Sequence, residues 1–334
     1  MDRSIINKLL VLSAGVFVLG GCTVDQEPKE IIRIGHNQSG NHPTHLGMEK
    51  FEEYIEDELG EKYDVQIYPN ELLGTQTNMV QLTQTGAIEI TVASNSILET
   101  FNPKFEIFNL PYLFESEEDY HNVMNDSSIT DELFLGTEGS GFVTKAWLDA
   151  GTRNFYLRDT VVETPEDLAG KKVRVQQSPT NVRMMELLGG SATPMGFGEV
   201  YTSIQAGIID GAENNELALT ENGHGDVVNY YSYTQHQMIP DEVIVSTIFL
   251  DNLSEEEKII FDKGFKLMQE VQHESWGEKV SEAIDTIQTK QGVEFNYPDV
   301  SIFREAVLPL HEETLARQPE LRNIYKIIEE KNKK

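Results

Sequence analysis

Apolar positions over residues 31–95 alternate between two periods. Ile31-Ile32-Arg33-Ile34-Gly35 has the make-up of a strand and runs into a polar loop at 36–43. From 44 to 59, Leu46, Phe51, Tyr54, Ile55 and Leu59 fall near helical spacing, and Gly60 ends the pattern. Val65-Gln66-Ile67-Tyr68 alternates as a half-buried strand does. Residues 75–85 predict a helix stopped before Gly86, and 88–93 predict a third strand. Strand, helix, strand, helix, strand implies a mainly parallel sheet covered by helices. Ligands of such sheets lie beyond the carboxyl ends of the strands. That marks Asn37, Gln38, Ser94 and Asn95 as a candidate rim.

The pattern then recurs. A strand is predicted at 171–175, a helix at 181–188, a strand end at 192–195 and a helix at 198–206, leading to Ala212-Glu213-Asn214-Asn215. Gln84-Thr85-Gly86-Ala87-Ile88-Glu89 is echoed by Gln205-Ala206-Gly207-Ile208-Ile209-Asp210, which suits two α/β lobes of similar build. Near the C-terminus Ser254 and Glu257 form a capping box. Apolar residues from Phe261 to Ile287 then keep helical spacing with no proline before Gln291. A helix of about 37 residues, about 55 Å long, suits a spine laid across two lobes.

The first residues have the layout of a signal peptide. Arg3 and Lys8 precede an apolar run at 9–19, too short to span a bilayer. Leu19-Gly20-Gly21-Cys22 resembles a bacterial lipobox, so the expectation is a signal peptide over 1–21, lipidation at Cys22 and a polar tether over 22–30. The alternative is an ordinary secretory peptide with a cysteine near its cleavage site. Cys22 is the single cysteine, which excludes an intrachain disulfide.

A formal net charge of −30 excludes nucleic acid as a partner. It also disfavours docking on anionic lipid, leaving a covalent anchor as the route to a membrane. Salt screens this charge beyond about 8–10 Å, so local arginines decide whether an anion is captured.

Arg174 is the leading candidate for that. Thr164-Pro165-Glu166-Asp167-Leu168-Ala169-Gly170 reads as a capped turn with a glycine stop, and Lys171-Lys172-Val173-Arg174-Val175 as the strand that follows. The flanking valines face one way and the guanidinium the other. An arginine held on a strand can grip a carboxylate through two parallel hydrogen bonds. A structural salt bridge is the alternative from these residues alone. Signals for catalysis are lacking: there is no nucleophile elbow, no spare cysteine and no glycine-rich phosphate loop. No histidine pair has zinc-helix spacing. No catalytic residue, cofactor or metal is expected.

Five segments carry a resemblance. They are Pro69-Asn70-Glu71-Leu72-Leu73-Gly74, Phe108-Asn109-Leu110-Pro111-Tyr112-Leu113-Phe114, Gly170-Lys171-Lys172-Val173-Arg174-Val175, Pro194-Met195-Gly196-Phe197-Gly198-Glu199-Val200-Tyr201 and Gly207-Ile208-Ile209-Asp210-Gly211-Ala212-Glu213-Asn214. In order and spacing the chain resembles the solute-binding proteins of TRAP (tripartite ATP-independent) transporters, of the C4-dicarboxylate-binding class, in lipoprotein form. The resemblance covers nearly all of the mature chain. It implies an α/β, two-lobed type II periplasmic binding protein fold, with the long C-terminal helix spanning both lobes. Lobe one would be 30–151 plus 240–279, and lobe two 152–239 plus 280–334. Ligand would lie between them and pass to a membrane permease, with the protein acting outside the cytoplasm as a monomer.

The resemblance also implies roles. Arg174 would pair with the ligand carboxylate and Arg153 would form a clamp with it. Asn214 would bridge to the ligand and Phe197 would cover it. Asn37, Gln76, Ser94 and Asn95 would reach it from the first lobe. Three of these have a plainer alternative: a surface ion pair for Arg153, core packing for Phe197, helix capping for Asn214. His236 reads as a structural residue near the hinge. With Gln38 and Gln177, the set is rich in amides and hydroxyls, which suits a polyhydroxylated acid. Asn41-His42-Pro43 is similar to a loop of uronate-binding members and adds His42 to the candidates. The expected ligand is a hexuronate or similar sugar acid. A C4-dicarboxylate is the alternative, with Arg153 as its second cation. A ligand-presenting partner of a sensor kinase would share the fold.

Overall fold

The computed structural model describes residues 28–332, so the expected signal peptide, Cys22 and most of the tether lie outside the described residues. The strands form two sheets. The first holds β1 (Glu30–Gly35), β2 (Tyr63–Tyr68), β3 (Ile90–Ser94), β4 (Phe142–Leu148) and β10 (Asp241–Ser246), in the order β2-β1-β3-β10-β4. The second holds β5 (Thr152–Leu157), β6 (Lys172–Val175), β7 (Ser191–Pro194), β8 (Gly211–Asn214), β9 (Tyr230–Met238) and β11 (Glu294–Asn296), in the order β11-β9-β5-β8-β6-β7.

The sheets are mixed rather than mainly parallel. β1 pairs in parallel with β2 and β3, but β10 is antiparallel to both β3 and β4. β5 is likewise antiparallel to β8 and β9. The exceptions are strands that carry the chain between lobes. β4 leaves the first sheet and becomes β5 after residues 149–151. β9 leaves the second and becomes β10 after Ile239 and Pro240. β3 and β10 are buried at every residue, as strands covered on both faces must be.

The sequence echo marks one device used twice. The helices Gln76–Gln84 and Val200–Gln205 each end shortly before a glycine in the left-handed region, Gly86 (φ 72°) and Gly207 (φ 70°), and a strand follows.

The long helix runs Glu255–Thr286, 32 residues, and continues as a π turn to Gln291. Its first half sends Phe261, Phe265 and Met268 into a core with Ile34, Phe51 and Val65 of the first lobe. Its far half sends Trp276, Ala283 and Ile287 into a core with Tyr156, Val200 and Tyr231 of the second. Its backbone touches the helix Pro43–Leu59, because a Cβ at Gly47 would lie 2.7 Å from the Met268 carbonyl. A third cluster, including Phe105, Leu113, Met184 and Phe303, joins the lobes behind the crossing strands. The last helix, Arg322–Lys331, rests on first-lobe elements: Lys331 pairs with Asp126 at 2.6 Å, and Asn332 donates to the Leu113 carbonyl at 2.7 Å. Among the described residues no helix is long and apolar enough to cross a membrane.

Candidate functional site

Residues from both lobes and both crossings enclose a narrow cavity of about 340 Å³, a volume that counts the part open to solvent. Arg174 reaches it from β6, between the fully buried Val173 and Val175. The turn before β6 is capped by Asp167, whose carboxylate accepts from the Thr164 N–H at 2.8 Å. Arg174 Nε and Nη2 donate to the Met195 carbonyl at 3.2 and 3.0 Å. This side-on grip fixes the plane of the guanidinium. Nη1 has no hydrogen-bond partner among the described residues, so the end-on edge can receive a carboxylate. The Phe197 ring centroid lies 5.6 Å from the guanidinium carbon. Burial, the largest influence, lowers the Arg174 pKa; Glu213 acts against it and Arg153 with it.

Arg153, on β5, has a different environment. Its Nε donates to Glu213 Oε2 at 2.5 Å, and its Nη2 to Glu213 Oε1 at 3.0 Å and to the Glu213 carbonyl at 2.8 Å. Nη1 donates to Asn214 Oδ1 at 3.1 Å. Glu213 is fully buried, and His236 Nε2 lies 3.5 Å from it. Burial pushes the Glu213 carboxyl up, but the charge and hydrogen bonds of Arg153 and His236 outweigh that and hold it at about 2. Arg153 lines the cavity, but Glu213 already answers its charge. The two arginines therefore differ: one is neutralised inside the protein and the other is not.

Asn37, Gln38 and Gln76 face them from the first lobe, and Phe197, Asn214 and Asn215 complete the second-lobe wall. Gln76 opens its helix just after Thr75, whose side chain caps it. Asn214 Oδ1 accepts from Arg153, while Asn215 Oδ1 accepts from the Leu217 N–H and so caps the next helical turn.

Four expected residues lie elsewhere. Gln177 is exposed, and its side-chain oxygen accepts from Thr77 at 3.0 Å outside the cavity. Gln176 lines the cavity instead, because side chains alternate and it shares a face with Arg174. Asn95 is fully buried and donates to the Phe105 carbonyl and to Asn109. Ser94 is buried beside it, its backbone paired with Asp241. His42 Nδ1 accepts from the Thr44 N–H as a helix cap, and its ring meets Trp276 edge-on at 5.7 Å. Burial lowers His42 to about 3, so it is neutral there.

Sequence reasoning missed Asp241, Gln176, Asn215 and Ala150. Period-two alternation from Arg174 would have found Gln176. Asp241 is the first residue of β10, directly after the second crossing, and no local pattern brings it to the cavity. Burial raises its carboxyl to about 6, with Arg153 pulling down and Asp149 pushing up. A roomier groove on the hinge side, lined by Glu99, Arg183, Glu313 and Arg317, answers its own charges through Arg183–Glu313 and Arg317–Glu106 pairs. No grouping of His, Cys, Asp and Glu among the described residues suits a metal ion.

Residues 34–318 match the family model described as bacterial extracellular solute-binding protein, family 7. A TRAP periplasmic solute-binding protein from Anaerococcus prevotii DSM 20548, solved with bound α/β-D-glucuronate, is 60% identical; the match covers 91% of this chain and 99% of that one, with a TM-score of 0.90. One from Sulfitobacter sp. NAS-14.1, with bound β-D-galacturonate, is 32% identical over 90% of this chain and 99% of its own, with a TM-score of 0.86. The C4-dicarboxylate-binding periplasmic protein of Rhodobacter capsulatus is 27% identical, covering 86% of this chain and 87% of its own. The chain belongs to family 7 of the bacterial extracellular solute-binding proteins, the solute-binding proteins of TRAP transporters.

Proposed function

We propose that this protein captures a hexuronate outside the cytoplasm and delivers it to the membrane permease of a TRAP transporter, performing no chemistry on it. The carrying observation is the end-on edge of Arg174, a buried positive charge with no protein carboxylate bonded to it, in a cavity otherwise lined mainly by amides. A ligand carboxylate supplies the missing partner. Asn37, Gln38, Gln76 and Gln176 offer both donors and acceptors to ring hydroxyls. The relatives solved with glucuronate and galacturonate support the same ligand class.

A C4-dicarboxylate fits the charge pattern less well. Its second carboxylate needs a second cation, but Arg153 is paired with Glu213 and Asp241 adds a carboxyl to the cavity wall. Lipidation at Cys22 is the proposed anchor, with the protein working as a monomer. Calorimetry with D-glucuronate, D-galacturonate, aldonates, succinate and malate tests the ligand class. Binding of succinate or malate with no response to either uronate would overturn it.

A further inference from the structure

Beyond Phe197 the cleft continues into a second chamber. It measures about 690 Å³, including the part open to solvent, and its wall includes Asn37, Glu71, Tyr201, Glu221 and Asn222. Asn37 and Phe197 belong to both spaces. Two bonds that cross the cleft border it: the Gly198 N–H donates to Glu71 Oε2, and Ser39 Oγ to Glu221 Oε2, each at 3.0 Å. Asn70 and Glu71 hold left-handed backbone (φ 55° and 57°), a conformation costly for side-chain-bearing residues and concentrated at functional sites.

Three buried acceptors in this wall have no hydrogen-bond partner among the described residues: Asn37 Oδ1, Glu71 Oε1 and Asn222 Oδ1. Buried polar atoms are normally paired, so an occupant rich in donors would satisfy these oxygens once their side chains turn toward the chamber. The carboxyl groups of Glu71 and Glu221 disfavour a second anion. Tyr201 and Phe197 offer aromatic faces. A neutral, polyhydroxylated ring meets all these requirements.

We infer that the chamber is a second sugar subsite, so that the ligand range extends to disaccharides in which one acid sugar is joined to a neutral one. This rests on the hexuronate reading above. The acid sugar lies at Arg174 and its neutral neighbour between Glu71 and Asn222.

The test is calorimetry on the purified protein with D-glucuronate, with disaccharides joining glucuronate to xylose through C1 or through O4, and with digalacturonate. At least one neutral-armed disaccharide binds about tenfold tighter than glucuronate, the gain from roughly two recovered hydrogen bonds. Digalacturonate shows no such gain. Asn222→Phe, which fills the chamber, keeps glucuronate affinity within about twofold and abolishes the gain. If no disaccharide binds more tightly than glucuronate, the chamber holds only solvent and this inference falls while the hexuronate reading stands. A gain that survives Asn222→Phe also overturns it. Calcium that stabilises the ligand-free protein, without any disaccharide gain, would assign the acceptors to a cation instead. Failure of glucuronate itself to bind removes both readings.

Discussion

Arg174 and Arg153 are both buried and both line the cavity, yet their replacement by alanine should give opposite phenotypes. Arg174→Ala removes a positive charge that, among the described residues, is bonded only to the Met195 carbonyl. The loss to binding is a two-point, charge-assisted contact. At about 1.5–3 kcal/mol per hydrogen bond to a charged group, two such bonds give about 3–6 kcal/mol. That is roughly a hundred- to twenty-thousand-fold in Kd. Folding stability should change little, since relief of a buried charge offsets one under-satisfied carbonyl. Arg174→Lys should also bind poorly, because an ammonium cannot bond to Met195 and to a carboxylate with the same planar fork.

Arg153→Ala leaves Glu213 fully buried without its bonded cation, with His236 Nε2 3.5 Å away and Arg174 acting on it through charge alone. Removing one partner of a buried pair costs about 3–5 kcal/mol, so this variant should melt well below the parent whether or not ligand is present. Thermal melting with and without glucuronate, together with calorimetry, separates the two. Near-parent affinity in Arg174→Ala refutes the carboxylate grip. Parent-like melting in Arg153→Ala refutes the neutralised pair.

Asp241 should link binding to pH: with its carboxyl raised to about 6, an anionic ligand raises it further, so binding takes up a proton and affinity rises as pH falls from about 8 to about 6. Glu213, held at about 2, and His36, His42 and His224, lowered to about 3, titrate well below that window. Calorimetry in buffers of different ionisation enthalpy reads the proton directly, and an unchanged pH profile in Asp241→Asn sinks the assignment. Gly47→Ala places a methyl 2.7 Å from the Met268 carbonyl, and such overpacking should cost about 1–3 kcal/mol in melting experiments while leaving ligand affinity intact. Cys22→Ser should move the protein from the membrane fraction to the soluble one with unchanged ligand affinity; retention on the membrane refutes the lipid anchor.

Local pattern made the elements legible. The capping box at Ser254 and Glu257 located the start of the long helix, and its apolar spacing carried the reading to Gln291. Arg174 was legible because valines on either side set its face. What the sequence could not convey is pairing between distant segments. Parallel and antiparallel strands share one alternation, so the antiparallel β10 looked like any other strand. Asp241 reaches the cavity only because β9 crosses between lobes before β10 begins. Arg153 read as half of a ligand clamp or as one side of a surface ion pair, since nothing along the chain announces that Glu213, 60 residues on, lies bonded to it on β8. Asn95 looked like a ligand amide because its place at a strand end is right, but its side chain is taken by Phe105 and Asn109.

The distribution of contacts between the lobes explains why an unanswered charge on one of them matters. On the hinge side the ties are buried. Glu99 accepts from Ser178 Oγ and the Thr180 N–H, and Tyr112 Oη donates to the Thr234 carbonyl. Gln272 of the long helix bonds to both the N–H and the carbonyl of Asp149, at the first crossing. At the mouth the ties among the described residues include Glu71 to Gly198, Ser39 to Glu221 and Thr77 to Gln177, each exposed or only part-buried. Such bonds contribute about 1 kcal/mol or less apiece. Closure is therefore weakly held by the protein itself. On the proposed reading, a ligand gripped by Arg174 on one wall and by Asn37, Gln38 and Gln76 on the other adds ties of greater strength. A differential of a few kcal/mol is enough to shift a hinge equilibrium by orders of magnitude. On that reading Arg174 supplies it because no carboxylate among the described residues is bonded to it, which is the property Arg153 lacks.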